Sequence, residues 1–308
     1  MNVTLVEVGL RDGLQNEKTM LPVDTRVEMA VRLANAGLRR IELGAYVHPK
    51  WVPQMAQTPE VVEKVLKLRR ERKIPKELWF SVLVPNETGM TEALKQPVEE
   101  FALFASCTES FSKKNINCTI DESFNRFQVV ANGAAKNNIP LRGYISVAFG
   151  CPFEGKVSED QVVKIAQRLL DLGSFEISVG DTIGAASPGD VRSVFEKLLK
   201  VIPAEKLAGH FHDTRGQSLA NTLEAYKMGI RVFDTSIGGL GGCPYAPGAA
   251  GNASTEDVAY MFEGMGVKTG IDLDQLVETN KWLAPQMDHP LYSKVGKVGR
   301  LKPLGAVN

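Results

Sequence analysis

Four shortages narrow this 308-residue chain before any motif is read. Cysteine is scarce: Cys107, Cys118, Cys151 and Cys243 are the only ones, and no two form a C-x-x-C pair. So few in so long a chain do not build a disulfide framework, and they are read as thiols in a reducing compartment. Charge of one sign is lacking, with Lys plus Arg at 36 against Asp plus Glu at 36. A balanced chain raises no global field for nucleic acid or anionic lipid, so neither is expected as a partner, although a local anion site is still open. No apolar run approaches the roughly 20 residues that span a bilayer, and no signal or transit pattern precedes the first strand-like segment. A cytoplasmic address is therefore expected. Low-complexity segments and proline-rich linkers are also missing.

What is present is an alternation. Apolar, β-branched runs at 3–8, 39–43, 78–84, 100–105, 141–147, 175–179, 207–212 and 231–237 predict eight strands. Between them, amphipathic stretches at 25–36, 59–72, 90–94, 122–137, 158–172, 188–201 and 217–228 predict helices. Gly37 and Gly173 stand at helix stops, and Ser158 precedes an acidic first turn of Glu159 and Asp160, as a cap should. Eight strands alternating with helices predict a (β/α)8 TIM barrel, for which about 250 residues suffice. An open doubly wound sheet is the alternative. The whole chain, 1–308, is read as one barrel domain. Residues 254–308 form extra C-terminal helices, at 255–266 and 272–289, and a tail that caps the barrel or joins a second subunit.

Barrel chemistry sits at the carboxyl ends of the strands, and the reactive side chains cluster there. Arg11 and Asp12 follow strand one, and Glu42 ends strand two. Arg142 and Tyr144 lie in strand five. Asp181 follows strand six, and His210, His212 and Asp213 end strand seven. A glycine-rich loop with Cys243 and Asn252 follows strand eight. Residues two apart on a strand share a face, so His210 and His212 can reach one metal ion. The bland reading is a pair of packed histidines; Asp12 and Asn252, available as oxygen ligands, tip the reading to a metal. Two nitrogens, two oxygens and open positions suit Mg2+ or Mn2+ better than zinc, since no thiolate is needed. Cys243, between clustered glycines and Pro244, is read as a thiol on a flexible lid rather than a core residue. Glu42 and Asp181 are read as acid–base groups or as residues that orient the ligands.

Several long runs resemble the 3-hydroxy-3-methylglutaryl-CoA lyase family. They begin with Val6-Glu7-Val8-Gly9-Leu10-Arg11-Asp12-Gly13-Leu14-Gln15-Asn16-Glu17 and include Pro49-Lys50-Trp51-Val52-Pro53-Gln54-Met55, Lys113-Lys114-Asn115-Ile116-Asn117-Cys118 and Gly150-Cys151-Pro152-Phe153-Glu154-Gly155. Gly180-Asp181-Thr182-Ile183-Gly184, His210-Phe211-His212-Asp213-Thr214 and Gly239-Leu240-Gly241-Gly242-Cys243-Pro244-Tyr245 extend the likeness across about residues 3 to 285. The arginine–aspartate opening and paired histidines also occur in related aldolases and carboxyltransferases. The last loop is the more specific feature.

The resemblance implies that Asp12, His210, His212 and Asn252 hold a divalent cation and that Arg11, Glu42, Asp181, His210 and Cys243 are catalytic. It implies that Arg11, Gln15, Asn115, Arg142 and Tyr144 bind an acyl-CoA, and that the chain is a homodimer or larger. The implied reaction is a retro-Claisen cleavage to acetyl-CoA and acetoacetate. In it Asp181, with His210, takes the hydroxyl proton, Arg11 faces the enolate oxygen and Cys243 protonates the carbanion. Leu43-Gly44-Ala45-Tyr46 and Arg215 depart from the family pattern. They are the features that would favour a same-fold aldolase or a lyase for a longer-chain 3-hydroxyglutaryl-CoA. A condensing synthase and a non-catalytic metal-binding barrel are the remaining alternatives.

Overall fold

All eight expected strands form, and their pairing decides between a barrel and an open sheet. The computed structural model describes residues 2–242 and 251–301. β1 (Thr4–Glu7), β2 (Arg40–Ala45), β3 (Trp79–Leu83), β4 (Glu100–Ser106), β5 (Leu141–Ser146), β6 (Ser174–Asp181), β7 (Leu207–Phe211) and β8 (Val232–Thr235) pair in sequence order. All the pairs are parallel, and β8 closes on β1 with Thr4 opposite Val232 and Glu7 opposite Thr235. The result is a (β/α)8 barrel. The open-sheet alternative fails because β1 and β8 are neighbours.

The surrounding helices are α1 (Val23–Asn35), α2 (Thr58–Arg70), α3 (Glu87–Ala93), α4 (Glu109–Ile116), α5 (Ile120–Lys136), α6 (Glu159–Asp171), α7 (Pro188–Leu198) and α8 (Ser218–Lys227). Their starts are written locally. Ser158 accepts from Gln161 N at the head of α6, and Thr119 with Glu122, and Ser187 with Asp190, close capping boxes on α5 and α7. After α1 the chain turns at Gly37, whose φ of +100° few side chains tolerate. Each helix lays an apolar face on the barrel: Val162, Ile165, Ala166 and Leu169 of α6 are all buried.

Three elements were not legible. α4 is short and buries only Phe111 and Ser112, so its periodicity is faint. Residues Gly9–Gly13 form a single π-helical turn, and Lys294–Val298 form a last short helix, α11. Beyond the barrel the tail supplies α9 (Thr255–Gly264) and α10 (Leu273–Leu283), with α10 packed on α1 and α9. The helix expected over 272–289 ends early, because Pro285 forces the short 3-10 turn Ala284–Gln286.

The barrel interior is unusually charged. Arg40 Nη2 lies 3.2 Å from Glu100 Oε2 and 3.0 Å from Glu176 Oε1, and Glu176 Oε1 accepts from Arg142 Nε at 2.6 Å. Arg142 Nη2 reaches Asp234 Oδ1 at 2.8 Å. An ion-pair ladder thus climbs the axis from the floor at the strand starts towards the strand ends.

Candidate functional site

The π turn brings two charges to one point. Gly13 N donates to Val8 O at 3.1 Å, five residues back, and this widened turn carries Arg11 and Asp12. Buried Glu7 pins its start by accepting from Gly9 N at 2.8 Å and Ile237 N at 2.9 Å, while Thr255 Oγ1 donates to its other oxygen at 2.7 Å. Gly9 is required there: a Cβ would meet Glu7 Oε1 at 2.5 Å. Arg11 Nε donates to Glu42 Oε2 at 2.6 Å and Nη1 to Asp12 Oδ1 at 2.7 Å. Its guanidinium lies over the Tyr144 ring, 5.1 Å from the centroid. Burial alone would depress Arg11, but Glu42, Asp12 and Tyr144 carry it above its ordinary range. It is a fixed cation at the cavity wall.

β7 delivers His210, and His212 follows in an isolated bridge to Asn252 rather than in the strand itself. Their Nε2 atoms face each other at 3.2 Å, and Asp12 Oδ2 lies 3.7 Å and 3.5 Å from them. Donors bound at about 2.1 Å to one octahedral cation would be about 3 Å apart, so these spacings suit neighbouring corners of one coordination shell. Asn252 Nδ2 donates to Asp12 Oδ2 at 2.9 Å, which leaves its Oδ1 buried without a partner. That buried acceptor, on the residue bridged to His212 and bonded to Asp12, completes a donor set that fits a hard divalent ion. Burial would raise Asp12, but Arg11, His212 and His210 hold it well below the usual carboxylate range, so it stays anionic.

The sequence reading missed Asp234. Its Oδ2 sits 3.1 Å from His210 Nδ1 and accepts from Ser178 Oγ at 2.5 Å. Burial works against the anion, yet Arg142 and His210 keep Asp234 far below its ordinary value. A carboxylate on Nδ1 fixes the His210 tautomer and leaves the Nε2 lone pair free for the site. The signal was an acid inside the apolar run Val232-Phe233-Asp234-Thr235.

A cavity of about 410 Å³ opens over these groups. Arg11, Asp12, Gln15, Asn115, Tyr144, His210 and His212 border it, with Phe104, Phe111 and Phe127 as an apolar wall and Trp51 among the lining residues. Three expected residues stand elsewhere. Arg142 is fully buried among Glu176, Asp234 and the Tyr144 ring. It supports the site from below and does not line the cavity, a correction to the expected substrate contact. Asp181 is also buried, and its two oxygens accept from Ala185 N at 2.8 Å and Ala186 N at 3.0 Å. It fastens the loop after β6 and does not border the cavity. Glu42 is likewise sealed behind Arg11 and Tyr144, whose hydroxyl donates to it at 3.3 Å. Cys243 lies outside the described residues. Cys107, Cys118 and Cys151 are buried and unpaired, and desolvation pushes the Cys107 thiol well up.

The HMGL-like family model matches residues 2–283. A mitochondrial hydroxymethylglutaryl-CoA lyase of Arabidopsis thaliana is 48% identical over 292 residues, 95% of this chain and 61% of that longer relative. The hydroxymethylglutaryl-CoA lyase of Pseudomonas mevalonii is 46% identical, with 96% of this chain and 95% of the relative covered. An HMG-CoA lyase from Acinetobacter baumannii, solved with coenzyme A and 3-methylmalate, superposes with a TM-score of 0.92 at 36% identity, over 100% of this chain and 98% of that one. A barrel that sets an arginine–aspartate turn against paired histidines, in a chain matched along nearly its whole length, belongs to the HMGL-like family.

Proposed function

We infer that this chain cleaves 3-hydroxy-3-methylglutaryl-CoA into acetyl-CoA and acetoacetate. The observation that carries the reading is the Arg11–Asp12 turn locked against His210 and His212 at the wall of one cavity. Cleavage breaks the C2–C3 bond. The bonding pair passes to a thioester enolate, the 3-hydroxyl loses its proton, and a ketone forms at C3.

Asp12, His210, His212 and Asn252 would hold a divalent cation, Mg2+ or Mn2+. When bound, such a cation polarises substrate oxygens and lowers the pKa of a hydroxyl beside it. Arg11 is already oriented by two carboxylates, so a guanidinium edge can meet the enolate oxygen without reorganisation. With Asp181 turned to backbone amides and the His210 Nε2 lone pair given to the cation, the acidified 3-hydroxyl would pass its proton to solvent in the open cavity. Cys243, carried by the loop that follows β8, protonates C2 of the enolate. The apolar wall and the rim at Gln15, Asn115 and Trp51 receive the acyl-CoA. Homodimerisation and a cytoplasmic setting belong to the same reading; the unpaired thiols favour a reducing compartment.

The departures that pointed to a longer acyl group do not border the cavity. Ala45 is buried, and its N–H donates to Thr58 Oγ1 at 3.2 Å. Arg215 Nη1 donates to Ile183 O and Gly184 O on the neighbouring loop. The test is product analysis: purified protein with Mg2+ and 3-hydroxy-3-methylglutaryl-CoA should release acetoacetate. Turnover only with a longer-chain 3-hydroxyglutaryl-CoA would sink the assignment.

A further inference from the structure

The proposed cleavage uses only Trp51 of the run Pro49-Lys50-Trp51-Val52-Pro53-Gln54-Met55, which follows β2. Trp51 is 70% exposed. A side chain with so little packing of its own stands where its backbone puts it. That backbone is a succession of tight turns. Trp51 N and Val52 N donate to His48 O at 2.9 Å and 3.2 Å, and Met55 N donates to Val52 O at 3.0 Å. Met55 is buried, and Thr58 Oγ1 donates to its carbonyl oxygen at 2.8 Å. The downstream end is therefore anchored to α2, while His48, Trp51 and Val52 border the cavity.

Gln54 ties these turns to the neighbouring loop. Its Nε2 donates to Glu17 O at 2.6 Å. Glu17 ends the stretch after the π turn in which Gln15 and Asn16 border the cavity, and its own N–H donates to Leu14 O at 3.1 Å. One amide side chain thus bridges the loops after β1 and β2, and each loop supplies cavity wall.

Arg26, near the start of α1, holds Gln54 at its backbone. It is 2% exposed, and its Nη1 donates to Gln54 O at 3.1 Å. Among the described residues no carboxylate pairs with it, and Nε and Nη2 have no partner. Burial pulls its pKa down to about 10, which leaves it charged at neutral pH. A buried cation without a counter-ion opposes folding, and an apolar side chain of similar size would fill the same place with less desolvation. What the guanidinium supplies and an apolar side chain cannot is a charge-assisted donor to Gln54 O.

We propose that Arg26 and Gln54 are positioning residues that hold the Trp51 wall of the cavity against the Gln15–Glu17 loop and thereby set the affinity for the coenzyme A part of the substrate. The choice of ligand rests on the acyl-CoA reading above. Neither residue borders the cavity, so their effect falls on binding rather than on bond cleavage.

Three measurements on the Mg2+-loaded enzyme test this: hydrogen exchange over residues 47–56 without substrate, calorimetric titration with coenzyme A, and steady-state kinetics. In Gln54→Ala and Arg26→Met, exchange over 47–56 should quicken several-fold and that of the barrel strands should not. The Kd for coenzyme A should rise several-fold in both, with kcat little changed. Arg26→Met should keep or raise the melting temperature, since it removes a buried charge; stability and affinity then move in opposite directions, as they would not for a merely structural arginine. Trp51→Ala should also raise Kd, and adding Gln54→Ala to it should raise Kd no further, because the wall that Gln54 positions is gone. Unchanged exchange or unchanged Kd in Gln54→Ala and Arg26→Met overturns the proposal, and so do additive effects of Gln54→Ala and Trp51→Ala. Wild-type enzyme that binds coenzyme A but releases no acetoacetate would sink the activity reading alone; wild-type enzyme that binds no coenzyme A overturns both.

Discussion

The two ends of the barrel both bury charge, and they do so in opposite ways. At the floor, Arg40, Glu100, Glu176 and Arg142 form a nearly closed set: Trp79 Nε1 also donates to Glu100 at 2.8 Å, and only Arg142 Nη1 is left without a partner. At the mouth, Asn252 Oδ1, His212 Nδ1 and Glu42 Oε1 are buried and unpartnered, and two imidazole nitrogens confront each other beside Asp12. A satisfied network rigidifies a core, whereas one short of partners has been arranged for something that is not protein. Asp234 joins the two by pairing with Arg142 below and His210 above.

The sharpest way to break this contrast is to remove what the mouth is arranged for. EDTA should abolish turnover, and Mg2+ or Mn2+ should restore it. His210→Ala and Asp12→Ala should lose metal affinity by calorimetry together with turnover. Full activity after metal removal would make the mouth a structural network like the floor. Next in size, Arg11→Lys should reduce kcat by about 10²- to 10³-fold at an unchanged melting temperature, because a point charge cannot keep the forked contacts to Glu42 and Asp12. Near-normal kcat would remove Arg11 from the mechanism.

Asp234→Asn probes the junction. Losing the carboxylate on His210 Nδ1 should weaken metal binding by about 10- to 100-fold; an unchanged affinity would leave Asp234 to the floor alone. Glu176→Gln should do the reverse. It removes the anion shared by Arg40 and Arg142 and should cost about 3–5 kcal/mol in urea denaturation, with kcat of the folded enzyme largely kept. A kcat loss that outruns the stability loss would show that the two ends are not separable.

The last effect, read only through pH, concerns Glu7, which burial raises to about 8 in spite of hydrogen bonds from Thr255, Ile237 and Gly9. A carboxyl raised on folding binds more protons folded than unfolded. Its contribution is therefore complete below its unfolded value of 4.5 and is lost as pH rises towards 8. Glu7→Gln should gain stability relative to wild type across that window, as read by thermal melts at stepped pH. Parallel pH curves for the two proteins would refute the shift.

By itself the sequence determined the eight strands, most of the helices and the pairing of His210 with His212, because period-two and period-3.6 patterns and the strand-face rule are local. It also placed Arg11 and Asp12 after β1. It could not say what each strand-end acid faces. Asp12 and Asp181 both follow strand ends, yet the loop after β6 turns two amides onto Asp181, and the π turn sets Asp12 against two imidazoles. It took Arg142 for a wall residue, because the choice between cavity and ladder depends on Glu176 and Asp234, which are 34 and 92 residues away. The bridge from Gln54 to Glu17, across 37 residues, was invisible for the same reason. Hydrogen bonds are satisfied in three dimensions, and only closure of the barrel decides which groups are left to find a partner outside the chain.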